Sequence, residues 1–133
     1  SGSSGGFILA FTSLFDTGDR VGIGAPGYPS YRQILKALDL APVDLPTSLD
    51  NRLQPVPADF AGMDLQGLLV ASPGNPTGTM LDHAAMSALV DATKAQGESF
   101  ISRAGGRTDR AKHVHLRPPR QSGRRACRDG LHR

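Results

Sequence analysis

The sequence predicts an α/β fold in which a mainly parallel sheet is flanked by helices. Three observations lead to this prediction. Segments with strand-like and helix-like apolar patterns alternate through most of the 133-residue chain. The run Leu68–Ala71 is apolar on both sides, which is typical of a strand buried in a parallel sheet. Loops rich in glycine and proline follow the first and third predicted strands, where ligands of open α/β sheets bind.

Three helices are predicted, and each has its own apolar pattern. Residues 4–15 are apolar nearly all round, so this helix is expected to be buried. Residues 30–38 carry one apolar stripe at helical spacing. The third helix begins after Asp82, which is expected to cap it, and Gly97 ends it at about residue 96.

Four strands are predicted at residues 20–24, 41–45, 67–71 and 98–102, and a loop covers residues 46–57. Helices separate the first strand from the second and the third from the fourth. This order indicates an α/β fold with a mainly parallel sheet.

Charge and composition divide the chain at about residue 102. Residues 1–102 contain five basic and ten acidic residues, together with all seven aromatic residues. Residues 103–133 contain ten basic and two acidic residues and show neither the helical nor the strand period. We therefore place a domain boundary at about residue 102. Residues 103–133 are interpreted as a basic tail that is disordered or results from out-of-frame translation.

The first helix begins with a candidate anion site. Ser3, Ser4 and Gly5 lie at its amino end, where free backbone N–H groups and the positive end of the helix dipole favour a phosphate. Simple capping of the helix by Ser4 is the alternative.

Two further candidate residues lie in the loops that follow strands. Tyr28 follows the first strand, between a glycine and a proline, and offers a flat face for a ring; simple packing is the alternative. Asn75 lies in the loop Ser72–Gly78, where Pro76 stiffens the backbone that carries its amide. An ordinary polar turn is the alternative for Asn75.

A glycine motif suggests a second kind of ligand. Gly22–Gly27 matches the dinucleotide-binding spacing after a strand, and Asp44 follows at the expected distance. That motif requires its last glycine to open a helix, and Pro26 and Pro29 delay the helix here. We interpret the match as accidental, and a nicotinamide-dinucleotide-binding oxidoreductase domain remains the alternative function.

The remaining composition bears on metals, membranes and partners. His113, His115, His132 and Cys127 lack the paired spacing of a zinc site, so no metal is expected. A single cysteine favours a reducing, cytoplasmic compartment. No apolar run reaches the roughly 20 residues that cross a bilayer. Nucleic-acid binding through the basic tail is a further alternative, which the lack of aromatic residues there disfavours.

Four segments in order resemble one family, the class I/II pyridoxal-phosphate-dependent aminotransferases of fold type I. The segments are residues 1–7, 16–21, 26–31 and 72–78. The resemblance covers residues 1 to about 102 and implies that residues 1–102 are a partial pyridoxal-phosphate-binding domain of the aminotransferase kind. It implies a role in moving an amino group between an amino acid and a 2-oxo acid, with pyridoxal 5′-phosphate as cofactor and a homodimer as the full-length assembly.

The same resemblance implies roles for the candidate residues. Ser3, Ser4 and Gly5 would bind the cofactor phosphate, Tyr28 would stack on the pyridine ring, and Asn75 would bind the ring's phenolic oxygen. These roles come from the family and not from the spacing of the residues.

The chain also departs from the family pattern. Arg103 stands where the family has the aspartate that pairs with the pyridine nitrogen. Lys36, Lys94 and Lys112 do not lie in the context of the family's Schiff-base lysine. The amino-terminal arm and the small domain of the family are also missing from this sequence. We therefore assign no catalytic residue and expect no transamination by the isolated chain.

Overall fold

A computed structural model of the chain describes residues 2–74, 77–104 and 114–115. Its helices are α1 (Gly2–Leu14), α2 (Pro29–Ala37), α3 (Pro57–Phe60) and α4 (His83–Ala95). Its strands are β1 (Arg20–Ala25), β2 (Ala41–Pro46), β3 (Gly67–Ser72), β4 (Ser99–Ala104) and β5 (Val114–His115). The strands form one sheet in the order β2-β1-β3-β4-β5. β1 to β4 are parallel and β5 is antiparallel to β4, so the predicted fold class is confirmed.

Helices cover both faces of the sheet. Successive strand residues contribute alternately to two hydrophobic cores, one on each face. Leu69 and Ile101 face one core, together with the phenylalanines of α1 and the apolar stripe of α2. Leu68, Val70 and Phe100 face the other core, which α3 and α4 complete. This two-sided burial explains why the third strand is a continuous apolar run and not an alternating one.

Helix α1 differs from its prediction in two ways. It begins at Gly2 and not at residue 4, and only one side of it is buried. Phe7, Phe11 and Phe15 lie one turn apart and face the core. Ile8 and Leu9 are 44% and 69% exposed, so the expected burial all round was wrong. In the described part of the chain the sheet and α2 cover only the phenylalanine face of this helix.

Two elements were not predicted. α3 is a single short helix inside the region between β2 and β3, and β5 lies within the basic tail. β4 itself continues to Ala104, two residues beyond the predicted boundary. The remaining tail, residues 105–113 and 116–133, lies outside the described residues, so its proposed origin stays a prediction. None of the described helices combines the length and the apolarity that crossing a membrane requires.

Candidate functional site

Two neighbouring cavities lie at the carboxyl edge of the sheet. The larger, here called the strand-end cavity, has a volume of about 250 Å³. The ends of β1 and β3, the start of α2 and the loop before α3 surround it; the lining residues include Ala25, Tyr28, Asp44, Gln54 and Gly74. This is the place where parallel α/β sheets bind their ligands, because loops and helix amino ends converge there.

The smaller cavity, here called the Arg103 cavity, has a volume of about 130 Å³. It lies between the first turns of α1 and α2 and the end of β4. Its lining residues are Ser4, Phe7, Tyr28, Ser30, Tyr31, Ile34 and Arg103. Apolar side chains form one part of its wall, and hydroxyl groups with one guanidinium form the rest.

Tyr28 and Tyr31 line both cavities and contact each other edge to face. Their ring centroids are 5.5 Å apart at an interplanar angle of 77°. Tyr31 also contacts Phe7 of α1 edge to face, at 5.3 Å and 70°. Tyr31 is buried, whereas Tyr28 is 42% exposed. The core therefore holds Tyr31, and Tyr31 supports the exposed ring of Tyr28 from one side.

Sequence reasoning treated Tyr31 only as part of the apolar stripe of its helix. Its hydroxyl oxygen is buried and has no hydrogen-bond partner among the residues that the structure describes. A buried polar atom without a partner is unusual and needs an explanation. The sequence did not indicate the unpartnered hydroxyl, because a tyrosine on the apolar stripe of a helix fits the core as well as a phenylalanine does.

The predicted anion site at the start of α1 is only partly described. Ser4 lies in the first turn, where backbone N–H groups have no acceptor within the helix, and its side chain is exposed. Gly5 is half-buried and does not line the Arg103 cavity, while the side chain of Ser3 lies outside the described residues. Ser4 and Tyr28 line the same cavity, so two of the predicted site residues do lie together.

Asn75 lies outside the described residues, and its predicted role stays a prediction. The nearest described residues before and after it, Gly74 and Thr77, line the strand-end cavity together with Tyr28. The main-chain nitrogen of Gly74 donates to the oxygen of Thr79 at 2.7 Å, which closes the described part of the loop.

Gln54 holds this loop against β3, and sequence reasoning missed it. Its side chain is only 4% exposed. The amide nitrogen donates to the main-chain oxygen of Thr79 at 2.8 Å and to that of Ala71 at 3.2 Å. A glutamine in a long predicted loop gives no sequence signal of this kind, because its partners lie about 20 residues away.

The glycine motif of the alternative function does not have the required geometry. α2 begins at Pro29, so Gly27 does not open the helix. A Cβ atom at Gly27 would lie 2.6 Å from the main-chain oxygen of Gly24, which explains the glycine as a requirement of the turn. Asp44 forms an ion pair with Arg32 of α2.

Titratable groups elsewhere bear on what the site can do. Neither lysine in the described part of the chain lines either cavity. Among the described residues, no cluster of three or more histidine, cysteine or acidic side chains could hold a metal ion. Glu98, next to the start of β4, is buried and lines neither cavity. Burial and, to a smaller extent, the nearby charge of Asp64 raise the pKa of Glu98 to about 7.

Comparisons with known proteins give one family. Residues 1–101 match the family model described as aminotransferase class I and II. The chain is 45% identical over 104 residues to a valine–pyruvate aminotransferase of Mycobacterium tuberculosis, an alignment that covers 77% of this chain and 27% of that protein. It is 31% identical over 94 residues to an aspartate aminotransferase of Pyrococcus horikoshii, covering 68% of this chain and 24% of the relative.

Solved structures agree with the sequence comparisons. A protein of Silicibacter pomeroyi assigned as an aminotransferase is 81% identical, with a TM-score of 0.75 over 76% of this chain and 27% of that chain. An aminotransferase of Mycobacterium tuberculosis is 46% identical, with a TM-score of 0.73 and the same coverage. The chain thus spans about a quarter of the length of these proteins. The comparisons lend no support to the dinucleotide or nucleic-acid alternatives.

Proposed function

Because the chain belongs to the aminotransferase class I and II family, we propose that it is the cofactor-binding part of an enzyme that moves an amino group between an amino acid and a 2-oxo acid. The cofactor implied by the family is pyridoxal 5′-phosphate. The observation that carries the proposal is the meeting of Ser4 and Tyr28 in one cavity at the carboxyl edge of the sheet.

The residues of this edge fit the phosphate and the ring of the cofactor. The first turn of α1 presents backbone N–H groups without an acceptor in the helix next to the hydroxyl of Ser4, and Ser30 adds a second hydroxyl. Tyr28 is exposed and offers a flat face to a ring. Arg103 suits the anionic groups of the cofactor but not a protonated ring nitrogen.

When bound, pyridoxal phosphate supplies an aldehyde for the amino group and a ring that withdraws electrons. The chain's own residues bind and orient it. Ser4 and the amino end of α1 hold the phosphate, Tyr28 packs on the ring, and Asn75 is assigned to the phenolic oxygen. Ser3 and Gly5 are assigned to the phosphate on the family resemblance alone.

The isolated chain is proposed to bind the cofactor without a covalent bond and without turnover. Lys36 and Lys94, the described lysines, line neither cavity. We further propose that the full-length enzyme is a cytoplasmic homodimer. The absence of cysteine from residues 1–102 supports the compartment, and the family resemblance supports the dimer.

Titration with pyridoxal phosphate, followed by its absorbance, tests the proposal. We expect Tyr28→Ala to weaken binding roughly five- to tenfold, because the ring loses its aromatic support. Tyr28→Phe is the matched control and should bind as the unchanged chain does. Equal binding by Tyr28→Ala would contradict the proposed site. Rapid borohydride reduction of the cofactor onto one lysine would contradict non-covalent binding.

A further inference from the structure

The side chain of Gln54 donates hydrogen bonds to two segments that meet at the carboxyl end of β3. Its nitrogen donates to the main-chain oxygen of Thr79 at 2.8 Å and to that of Ala71 at 3.2 Å. The hydroxyl oxygen of Thr79 is a third acceptor, at 3.3 Å. Since an amide nitrogen carries two hydrogens, this buried donor has acceptors on both the strand and the loop that follows it.

The main-chain oxygen of Thr79 accepts a second hydrogen bond, which closes the loop of residues 73–79 on itself. The donor is the main-chain nitrogen of Gly74, at 2.7 Å. Gly74 and Thr77 of this loop line the strand-end cavity. Because Ala71 belongs to β3, the bonds of Gln54 fix the loop relative to the strand, whereas the bond from Gly74 fixes only its ends relative to each other. Loss of Gln54 therefore leaves the loop closed but less restrained at the cavity.

The backbone directly before Gln54 has an unusual conformation. Arg52 and Leu53 have φ angles of 54° and 56°, in the left-handed region that residues other than glycine seldom adopt. Two hydrogen bonds maintain this turn, from the main-chain nitrogen of Leu53 to the oxygen of Ser48 at 2.8 Å and from that of Gln54 to the oxygen of Asn51 at 3.0 Å. Such conformations persist where the surrounding structure requires them, and they cluster at functional sites.

We propose that Gln54 is a positioning residue for the cofactor site, because it holds the loop of residues 73–79 in the position from which Asn75 binds the ring. The inference rests on the proposed function, which assigns Asn75 to the phenolic oxygen. This role needs no contact between Gln54 and the cofactor. Gln54 acts through the fraction of molecules whose loop has the binding position, and the apparent affinity falls in proportion to that fraction.

Hydrogen exchange of the full chain without cofactor tests the hold on the loop. We expect Gln54→Met to raise the exchange rate of the Gly74 amide by roughly tenfold or more, because opening of the loop no longer breaks the bonds of Gln54. Gly67→Ala is the control matched for stability. It disturbs Phe15 at the start of β3, on the opposite edge of the sheet, and should leave exchange at Gly74 unchanged. Equal exchange at Gly74 in Gln54→Met and the unchanged chain would overturn the proposal.

A double-mutant cycle on the affinity for pyridoxal phosphate tests the action through Asn75. We expect Gln54→Met to weaken binding about threefold to tenfold, because fewer molecules have the loop in position. In the Asn75→Ala chain the same change should have little further effect, since both residues act on one contact. Gly67→Ala should bind as the unchanged chain does, which a merely structural role of Gln54 would not predict. Additive losses from Gln54→Met and Asn75→Ala overturn the proposal, as does a loss from Gln54→Met alone.

Gln54→Asn keeps the test valid if Gln54→Met fails to fold. Its amide is one methylene group shorter and cannot keep both main-chain bonds, so exchange at Gly74 and affinity should change in the same directions by less. A chain that binds no pyridoxal phosphate contradicts the proposed function, and exchange at Gly74 then decides whether Gln54 holds the loop. Equal affinity for pyridoxal phosphate in the unchanged chain and Gln54→Met overturns the inference and leaves the proposed function intact.

Discussion

Gln54 and Thr79 are joined by a hydrogen bond of 2.8 Å from the side-chain nitrogen of Gln54 to the main-chain oxygen of Thr79. The same nitrogen donates to the oxygen of Ala71 near the end of β3. One buried amide thus joins the loop of residues 73–79 to the strand that precedes it. Since this loop carries Asn75 and borders the strand-end cavity, Gln54 connects the fold to the candidate site.

Replacement of Gln54 by methionine tests this connection. The change keeps the approximate volume but removes the donor from two main-chain oxygens. We expect the free energy of unfolding to fall by about 1–3 kcal/mol, the usual cost of a part-buried polar group left without its partner. Urea unfolding measures the loss. Gln33→Met on the exposed face of α2 is the control, and an equal effect there would contradict the assigned role.

A second prediction concerns the contact between α1 and β3. A Cβ atom at Gly67 would lie 2.3 Å from the ring of Phe15, which is itself buried. We expect Gly67→Ala to lower the free energy of unfolding by about 1–3 kcal/mol, because the ring must leave its position in a packed core.

Gly6→Ala provides the matched control for that change. Gly6 lies within α1, and a Cβ atom there meets nothing within 4 Å. Alanine should therefore stabilise the protein by about 0.5–1 kcal/mol through helix propensity alone. Thermal unfolding of Gly67→Ala and Gly6→Ala measures both changes in stability. A stable Gly67→Ala variant would show that α1 is not held against β3 as described.

The third prediction concerns the start of α4. Asp82 caps this helix as the sequence predicted, and its carboxylate accepts a hydrogen bond from the main-chain nitrogen of Ala85 at 2.7 Å. We expect Asp82→Ala to cost about 1 kcal/mol of stability, because that N–H group loses its acceptor. Asp91→Ala, on the exposed face of the same helix, should change stability much less. Chemical denaturation of the two variants makes the comparison, and equal losses would refute the cap.

The fold could be predicted from the sequence because its signals are local. Each signal involves residues that are close together in the sequence. Examples are the apolar run of β3, the cap at Asp82 and the apolar stripe of α2. The exposure of Leu9 could not be predicted, because an apolar helix surface does not reveal whether another element covers it. α3 could not be predicted either, because a helix of one turn is too short to show a full period of an apolar pattern.

The candidate site was predictable only in part. Tyr28 and Ser4 could be placed at one edge because each follows a strand or begins a helix. Gln54 and Tyr31 could not be identified, since their roles depend on contacts between distant segments. Arg103 was recognised as a departure from the family, but its position in a cavity with unpartnered hydroxyls required the structure.

The last prediction concerns the pH dependence of stability, and it rests on Glu98. The side chain is 2% exposed, and within the described part of the chain neither carboxylate oxygen has a hydrogen-bond partner. Burial first, and then the charge of Asp64, raise its pKa from 4.5 to about 7. In the pH range between these values the folded protein binds a proton at Glu98 that the unfolded chain does not. The contribution to stability is therefore complete below pH 4.5 and is lost as the pH rises through about 7.

Urea unfolding across that range measures the effect. The free energy of unfolding should fall by up to roughly 1.4 kcal/mol per pH unit and level off above the pKa of Glu98. Glu98→Gln should remove this slope, because an amide has the shape of the neutral acid and does not titrate. Asp64→Asn should reduce the slope without removing it, because burial, the larger cause, remains. If the slope persists in Glu98→Gln, another group is responsible, and the buried carboxyl is not the one that couples folding to pH.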